Sequence, residues 1–169
     1  MTLPIAIPLM VVNAGQHSMS IPFLGSIEFG WIYPLILIPL AVMGTTNGYN
    51  ILAGYNGLEA GLGIVIFSAL SIISLITGQL WLALIGGIIV FALLGFFIFN
   101  KYPSKIFPGD SLTYSLGALM ACFAIFGNME KLALILFIPF IAEGFLKLRS
   151  KLKAENFGIP NKDNSLESP

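Results

Sequence analysis

Two long apolar runs, residues 58–77 and 80–99, constrain this chain more than any other feature of its sequence. Each is close to the roughly 20 mostly apolar residues that an α-helix needs to cross a bilayer. Because lipid offers no hydrogen-bond partner to the backbone, such segments must satisfy their own N–H and C=O groups. The chain is therefore predicted to be a membrane protein whose spanning segments are helical.

Further runs extend this prediction. Three of them are long enough to cross if the helix ends reach into the interface: 31–46, 111–127 and 131–147. The run at 3–13 is too short to span alone, and the polar, partly alternating stretch 14–30 is typical of a small hairpin. The predicted fold class is an all-α polytopic membrane protein with about five to six transmembrane helices and a small extracytoplasmic β-hairpin.

The composition agrees with a lipid environment. The chain is 57% hydrophobic and only 9% charged, whereas about a quarter of the residues of a soluble domain are charged. The formal net charge is zero, which gives a nucleic-acid partner no electrostatic support. Cys122 is the single cysteine, so the chain has no internal disulfide framework.

The basic residues predict an orientation. If the predicted spans alternate in direction, the loops 47–57 and 100–110 and the segment after 147 lie on one side of the bilayer. Seven of the eight basic residues lie on this side: Lys101, Lys105, Lys147, Arg149, Lys151, Lys153 and Lys162. Only Lys131 lies on the opposite side. Because cytoplasmic loops carry an excess of Lys and Arg, the shared side is predicted to be cytoplasmic. We accordingly divide the chain into a transmembrane domain, 1–149, and a cytoplasmic tail, 150–169.

The first of these loops concentrates polar groups in an otherwise apolar chain. It reads NGYNILAGYNGLEAG over residues 47–61, and its amides belong to Asn47, Asn50 and Asn56. Amide side chains both donate and accept hydrogen bonds, and the interspersed glycines permit tight bends or close approach of a ligand. Glu59 fits two roles equally well, as a complement to the dipole of the following helix or as a ligand contact.

The second loop, 99–117, contains a carboxylate after a Pro-Gly pair. Asp110 precedes a predicted helix, where a carboxylate accepts backbone N–H bonds as a cap. Alternatively, it holds a hard cation together with amide oxygens of the first loop, since Mg²⁺ is usually bound by one or two carboxylates and substrate phosphates. The second loop by itself favours the cap, and the two loops considered together favour the cation.

The strings NGYNILAGYNGLEAG and NKYPSKIFPGDSLTYSLGALMA together resemble the polyprenyl-phosphate N-acetylhexosamine-1-phosphate transferases, glycosyltransferase family 4. The branch that moves GlcNAc-1-phosphate from UDP-GlcNAc to dolichyl phosphate is the most similar, and the tail KAENFGIPNKDNSLESP is similar to its archaeal variety. The resemblance implies a magnesium-dependent transferase that begins the assembly of lipid-linked glycans and protein glycosylation. Its expected partners are UDP-GlcNAc, polyprenyl (dolichyl) phosphate and the bilayer.

The resemblance also implies roles for particular residues. Asp110 matches a magnesium ligand, and Asn50 matches the amide that shares the metal. Asn56 matches a residue that reads the uracil, and Phe107 matches the aromatic ring that stacks on it. The remaining expected substrate-binding residues are Asn47, which opens the motif, Glu59, and Asn156 in the tail for the N-acetyl sugar.

One element of the family pattern is missing from these 169 residues. The family carries two adjacent aspartates at the end of an earlier helix, and the sequence contains no Asp-Asp. We therefore expect the chain to correspond to the C-terminal half of a transferase, as a fragment, the product of a split gene or the result of a start-site error. Its expected protein partner is a separate N-terminal half or a second copy of the chain, and its catalytic residues stay unassigned. The alternatives are a non-catalytic remnant or membrane subunit that binds nucleotide-sugar, and a small-solute transporter.

Overall fold

The computed structural model describes residues 3–12, 18–21, 25–149, 159–160 and 166–167. A π-helical turn, Tyr33–Leu37, leads directly into α2. The helices are α1 (Leu3–Val12), α2 (Ile38–Leu52), α3 (Leu58–Ile76), α4 (Leu80–Asn100), α5 (Gly109–Gly127), α6 (Glu130–Leu136) and α7 (Ile138–Arg149). The strands form two antiparallel pairs, β1 (Ser18–Ile21) with β2 (Gly25–Glu28) and β3 (Ile159–Pro160) with β4 (Leu166–Glu167).

Four helical segments are long and apolar enough to cross a membrane. They are Tyr33–Leu52, Leu58–Ile76, Leu80–Asn100 and Gly109–Gly127. Much of their surface is apolar and exposed, as expected for helices that face lipid instead of water. The prediction of an α-helical, polytopic integral membrane protein is confirmed, and the four segments coincide with four of the predicted apolar runs.

The last predicted span, 131–147, differs from the prediction of one continuous helix. It is divided between α6 and α7, and each part is much shorter than the roughly 20 residues that a span needs. Pro139 explains the break, because it has no N–H to donate to the carbonyl of Ile135 one turn earlier. The ring of Phe137, at the break, packs against Gly48 of α2, where a β-carbon would lie only 2.3 Å from the ring.

The amino-terminal part forms a short helix, followed by a strand pair within the predicted hairpin stretch. The first apolar run is the ten-residue helix α1, which includes Pro8 and packs against α2. Strands β1 and β2 pair antiparallel within the predicted hairpin stretch, with Ser18 opposite Glu28. Strand β1 lies near α6, and therefore at the end of the bundle where α5 ends and α6 begins.

Helices α2 and α5 approach each other closely at Gly117. A β-carbon on this residue would lie 2.5 Å from the carbonyl oxygen of Thr45 and 2.5 Å from the Cα of Thr46. Small residues allow such close backbone approach between membrane helices. The crossing places the end of α2 beside the beginning of α5, and it is the contact that brings the two polar loops together.

The remaining helices form a core around this pair. Helix α3 packs along α4, and Phe67 of α3 meets Phe123 of α5 edge to face, with ring centroids 5.5 Å apart. The buried hydroxyl groups of Thr46 and Ser74 are satisfied within their own helices, since each donates to the carbonyl four residues earlier. These two residues thereby avoid the cost of an unpaired hydroxyl in an apolar environment, whereas the buried hydroxyl of Tyr49 has no partner among the described residues.

Candidate functional site

The two polar loops meet at one end of the helix bundle. The amide Nδ2 of Asn50 donates to Oδ1 of Asp110 across 2.9 Å, and to Oγ1 of Thr113 across 3.2 Å. Asn50 lies in the last turn of α2, and Asp110 lies in the first turn of α5. Two residues separated by 60 positions in the sequence therefore share one polar cluster, as the prediction of a joint cation site requires.

The turn between α2 and α3 is held by a buried carboxylate. Glu59, in the first turn of α3, is only 3% exposed, and its Oε1 accepts a 2.7 Å hydrogen bond from the backbone N–H of Gly54. Gly54 and Gly57 have φ values of +144° and +81°, which favour glycine. Oε2 of Glu59 has no hydrogen-bond partner in the described part of the chain.

The loop between α4 and α5 is held by a buried amide. Asn100, the last residue of α4, has no exposed surface, and its Nδ2 donates to the carbonyl oxygen of Ile106 across 2.9 Å. Ser104 donates to the same oxygen across 2.8 Å. These bonds fix the backbone just before Phe107. The side chain of Phe107 is 74% exposed, and no aromatic ring of the described residues packs against it.

The two loops enclose a cavity of about 240 Å³ at this end of the bundle. Residues of both loops form its wall: Asn50, Ala53, Gly54, Tyr55, Glu59, Phe107, Pro108, Gly109, Asp110 and Thr113. Among them are two carboxylates, one amide and two aromatic rings, and no lysine or arginine. The wall therefore offers oxygen ligands for a cation and a flat surface for a base, and its described residues contribute no positively charged side chain.

The structure brings together four of the seven residues predicted to form the site, namely Asn50, Glu59, Phe107 and Asp110. Asn56 is half-buried in the turn beside the cavity but is not among the described residues of its wall. Asn47 lies almost one helical turn before Asn50 and donates to the carbonyl of Met43 in its own helix. Their predicted contacts with substrate stay predictions, and Asn156 lies outside the described residues.

Two residues of the site were missed by the sequence analysis. Thr113 lies three positions after Asp110, so its place on the same helical face is readable from the spacing. The role of Asn100 cannot be predicted from the sequence, because its amide is one of several polar groups at the end of an apolar run. Only the fold shows that this amide is enclosed and that it braces the loop before Phe107.

The structure makes a direct prediction for Asn100. Replacing it by alanine is expected to lower the free energy of unfolding by about 1–3 kcal/mol, because the packing of a fully buried side chain is lost together with its hydrogen bond to the carbonyl of Ile106. Thermal unfolding in detergent measures the loss. Ser104→Ala is the matched control, since this bond to the same oxygen is exposed, and it is expected to cost less than about 0.5 kcal/mol. Equal losses in the two variants would contradict the bracing role of Asn100.

Helix α7 is also attached to this end of the bundle. The Nζ of Lys147 donates to the carbonyl oxygen of Ile51 across 2.8 Å, in the last turn of α2. A cation at a helix C-terminus interacts favourably with the helix dipole. The contact shows that the end of α7 and the two polar loops lie at the same end of the bundle, while Glu130 at the start of α6 lies at the other end, paired with Tyr33 at 2.9 Å.

The donor set is consistent with a cation that is shared with a substrate. The described residues contain no group of three or more His, Cys, Asp and Glu side chains that could hold a metal ion. These residue types therefore do not form a complete metal site by themselves in the described part of the chain. Asp110 and Asn50 supply a carboxylate and an amide, which suits Mg²⁺ bound partly by phosphate oxygens. In the structure, Nδ2 of Asn50 points toward Asp110. A half-turn of the Asn50 amide about its last side-chain bond would place Oδ1 there instead, as a ligand for a cation.

Comparison with known proteins places these observations in a family. Residues 1–128 match the sequence pattern of the family described as "Glycosyl transferase family 4". The chain belongs to this family. The matched region contains all helices from α1 to α5, and therefore every described residue that lines the cavity.

Individual members of the family are also similar to the chain. A protein of Saccharolobus solfataricus, named as a candidate UDP-N-acetylglucosamine–dolichyl-phosphate N-acetylglucosaminephosphotransferase, is 48% identical over 155 residues, which cover 90% of this chain and 48% of that protein. A Sulfolobus acidocaldarius protein of the same name is 38% identical over 90% of this chain and 47% of its own length. A phospho-N-acetylmuramoyl-pentapeptide-transferase of Halalkalibacterium halodurans is 39% identical over 70% of this chain and 36% of its own length. The chain spans about half the length of the two archaeal relatives.

Proposed function

We propose that the chain takes part in the transfer of N-acetylglucosamine-1-phosphate from UDP-GlcNAc to a polyprenyl phosphate of the dolichyl type. Membership of the family supports a glycosyl-1-phosphate transferase, and the names of the two archaeal relatives support this donor and acceptor. Within such an enzyme, the chain would supply the cavity for the nucleotide and its metal. The four membrane-crossing segments keep that cavity at a bilayer surface, where a lipid phosphate is within reach.

The charge of the cavity wall is the observation that carries this proposal. Two carboxylates and no basic residue line the cavity among the described residues. A nucleotide diphosphate is itself anionic, and like charges a few ångströms apart repel strongly where water is partly excluded. A divalent cation held by Asp110 would neutralise charge on the pyrophosphate and remove this conflict, which is why we propose a requirement for Mg²⁺.

The reaction is a displacement at phosphorus. An oxygen of the lipid phosphate bonds to the β-phosphorus of UDP-GlcNAc, the bond from that phosphorus to the bridging oxygen breaks, and UMP leaves with the bridging oxygen. Bound Mg²⁺ would neutralise charge on the pyrophosphate and on the departing phosphate. The chain's own contribution is positioning, because phosphoryl transfer depends mainly on orientation and charge stabilisation. Asp110 and Asn50 would hold the metal, and Phe107 and the turn at 53–57 would hold the nucleoside.

We propose that this end of the bundle faces the cytoplasm. Lys131 lies just after the opposite end of α5. Four basic residues lie at this end of the bundle, either in the last turn of a helix or just after it: Lys101, Lys105, Lys147 and Arg149. An excess of basic residues is typical of cytoplasmic loops. The hairpin β1–β2 would then be extracytoplasmic, and the nucleotide cavity would be open to cytoplasmic UDP-GlcNAc.

The acidic pair of the family is not among these 169 residues. No adjacent aspartates occur in the 169 residues, and the archaeal relatives are about twice as long as the matched region. The region that corresponds to the N-terminal half of these relatives would complete the site.

Transfer by membranes that contain both halves tests the proposal. The 169-residue chain is co-expressed with the N-terminal half of the Saccharolobus solfataricus relative, and the membranes receive labelled UDP-GlcNAc, dolichyl phosphate and Mg²⁺. We expect labelled lipid and an equal amount of UMP, and neither product from the N-terminal half alone. Absence of transfer from membranes that contain both proteins, when full-length relative is active in the same assay, would contradict the proposal.

A further inference from the structure

We propose that one face of α5 is the docking surface for a transmembrane helix of the region that corresponds to the N-terminal half of the archaeal relatives. The open part of this face consists of Ser111, Tyr114 and Ala118, and it continues the surface that α1 covers. The docked helix extends the line of α1 toward the polar loops. The inference rests on membership of the family and on helix packing, and it does not depend on nucleotide binding.

The α5 face is covered at one end and open at the other. Five residues recur at the alternating spacing of three and four that places side chains on one side of a helix: Ser111, Tyr114, Ala118, Ala121 and Ile125. Ala121 and Ile125 are buried in a cluster with Ala6 and Leu9 of α1. The three earlier residues of the set are exposed or half-buried. Helix α1 therefore covers the later part of the α5 face and leaves the earlier part open.

The open part of the α5 face differs from a surface that lipid covers. The exposed residues of α4 are apolar or aromatic throughout, and large side chains such as Ile88 and Phe91 are 69% and 76% exposed. The α5 face instead presents a serine, a tyrosine and an alanine, with the exposed Ser115 beside them. Small and hydroxyl-bearing residues are typical of positions where membrane helices pack against each other. The composition of this face therefore indicates a protein neighbour.

Helix α2 gives a second indication that protein is missing from this side of the bundle. Its membrane-crossing segment, Tyr33–Leu52, has a mean hydropathy of 1.4, against 2.8 for Leu80–Asn100, although the same share of each, 22%, is buried. Asn47 is exposed five positions before the end of this 20-residue segment. Such a segment is about 30 Å long, as thick as the hydrocarbon core, so Asn47 lies about 7 Å inside it. An exposed amide at this depth is costly in lipid and favours a protein cover.

The length of the relatives and the direction of α1 identify the occupant. The matched residues are 48% and 47% of the two archaeal relatives, so about half of each relative lies outside the match. Helix α1 leads into the hairpin at the end of the bundle opposite the polar loops. A helix that continues α1 backward therefore runs along Ala118, Tyr114 and Ser111 toward Asp110. Ala118 and Asp110 are eight positions apart, which is about 12 Å and little more than two helical turns.

Photocrosslinking tests the position of the docked helix. The 169-residue chain is co-expressed with a tagged N-terminal half of the Saccharolobus solfataricus relative, and the photoreactive amino acid p-benzoylphenylalanine is incorporated in place of Tyr114. Incorporation in place of Phe91, on the exposed side of α4, is the matched control. We expect links to the N-terminal half to form about tenfold or more efficiently from position 114 than from position 91, because only the former faces the docked helix. Mass spectrometry is expected to place these links in the residues of the relative that directly precede its match to this chain.

Ala118→Phe tests the fit of the α5 face. The larger side chain enters the space of the docked helix, so recovery of the tagged N-terminal half with the chain in detergent is expected to fall about tenfold or more. The unfolding temperature of the isolated chain is expected to change little, because this part of the face is open there. Ala92→Phe makes the same change at an exposed position of α4 and is expected to keep the wild-type recovery.

Each of the following results would overturn the inference. Links from position 114 that join two copies of the chain assign the α5 face to a homodimer, and links to lipid alone show that the face is bare in the bilayer. Equal recovery of the N-terminal half by Ala118→Phe and Ala92→Phe places the docked helix elsewhere, and no recovery by the wild-type chain contradicts docking itself. Transfer activity enters none of these measurements, so the inference and the proposed function can fail separately.

Discussion

Asp110→Asn is expected to weaken the binding of Mn²⁺, used as a paramagnetic substitute for Mg²⁺, by about 100-fold or more in the presence of UDP. Loss of a residue that contacts a metal ligand, and not the metal itself, typically lowers metal affinity by about 10–100-fold. Asp110 is proposed to bind the metal directly, so its loss is expected to have at least this effect. The asparagine keeps an oxygen that can accept from Nδ2 of Asn50, so the junction between α2 and α5 is preserved. The decrease in the electron paramagnetic resonance signal of free Mn²⁺ measures binding.

Two further variants make this result specific. Asn50→Ala is expected to reduce the affinity by a smaller factor, because a neutral amide contributes less to a cation than a carboxylate does. Glu143→Gln removes one negative charge outside the cavity wall and is expected to leave the affinity unchanged. If Asp110→Asn and Glu143→Gln bind Mn²⁺ equally well, the metal lies elsewhere, and Asp110 serves only the junction with Asn50 and the dipole of α5.

Gly117→Ala is expected to disturb the packing of α5 against α2 strongly. The new β-carbon would meet the carbonyl oxygen of Thr45 and the Cα of Thr46 at 2.5 Å, and backbone atoms cannot rotate away as a side chain can. Overpacking of this kind costs about 1–3 kcal/mol. Moving α5 away from α2 also separates Asp110 from Asn50, so UDP binding is expected to fall together with the unfolding temperature in detergent.

Gly95→Ala is the matched control for this prediction. Gly95 lies within α4, and a β-carbon there would meet nothing within 4 Å. Alanine is favoured over glycine in a helix by about 0.5–1 kcal/mol, so this variant is expected to be at least as stable as the wild type. Equal stability of the two variants would show that the crossing at Gly117 is looser than described.

The fold was predictable where the sequence pattern is long and local. The runs that became α3 and α4 are readable directly, because a span of this length has only one way to satisfy its backbone in lipid. The break between α6 and α7 was not predicted, although Pro139 signals it, since apolar content alone made 131–147 read as one segment. The closeness of α2 and α5 depends on Gly117, and a single glycine in an apolar run does not reveal which helix it meets.

The candidate site was predictable to a different extent. Joining the two loops required only the count of spans between them, and the hydrogen bond between Asn50 and Asp110 confirms that they meet. The roles of Asn56 and Phe107 came from resemblance and stay predictions. The sequence left two roles open for Glu59, because an acidic residue in the first turn of a helix is usually exposed. Its burial and its unequal oxygens are properties of the fold.

The dependence of UDP-GlcNAc binding on Mg²⁺ tests the central claim most directly. The purified 169-residue chain in detergent is titrated with UDP-GlcNAc by calorimetry, once with Mg²⁺ and once with a chelator. Because the cavity wall carries two carboxylates and no described basic residue, saturable binding is expected only with Mg²⁺. Binding of equal strength in the presence of the chelator would contradict the account.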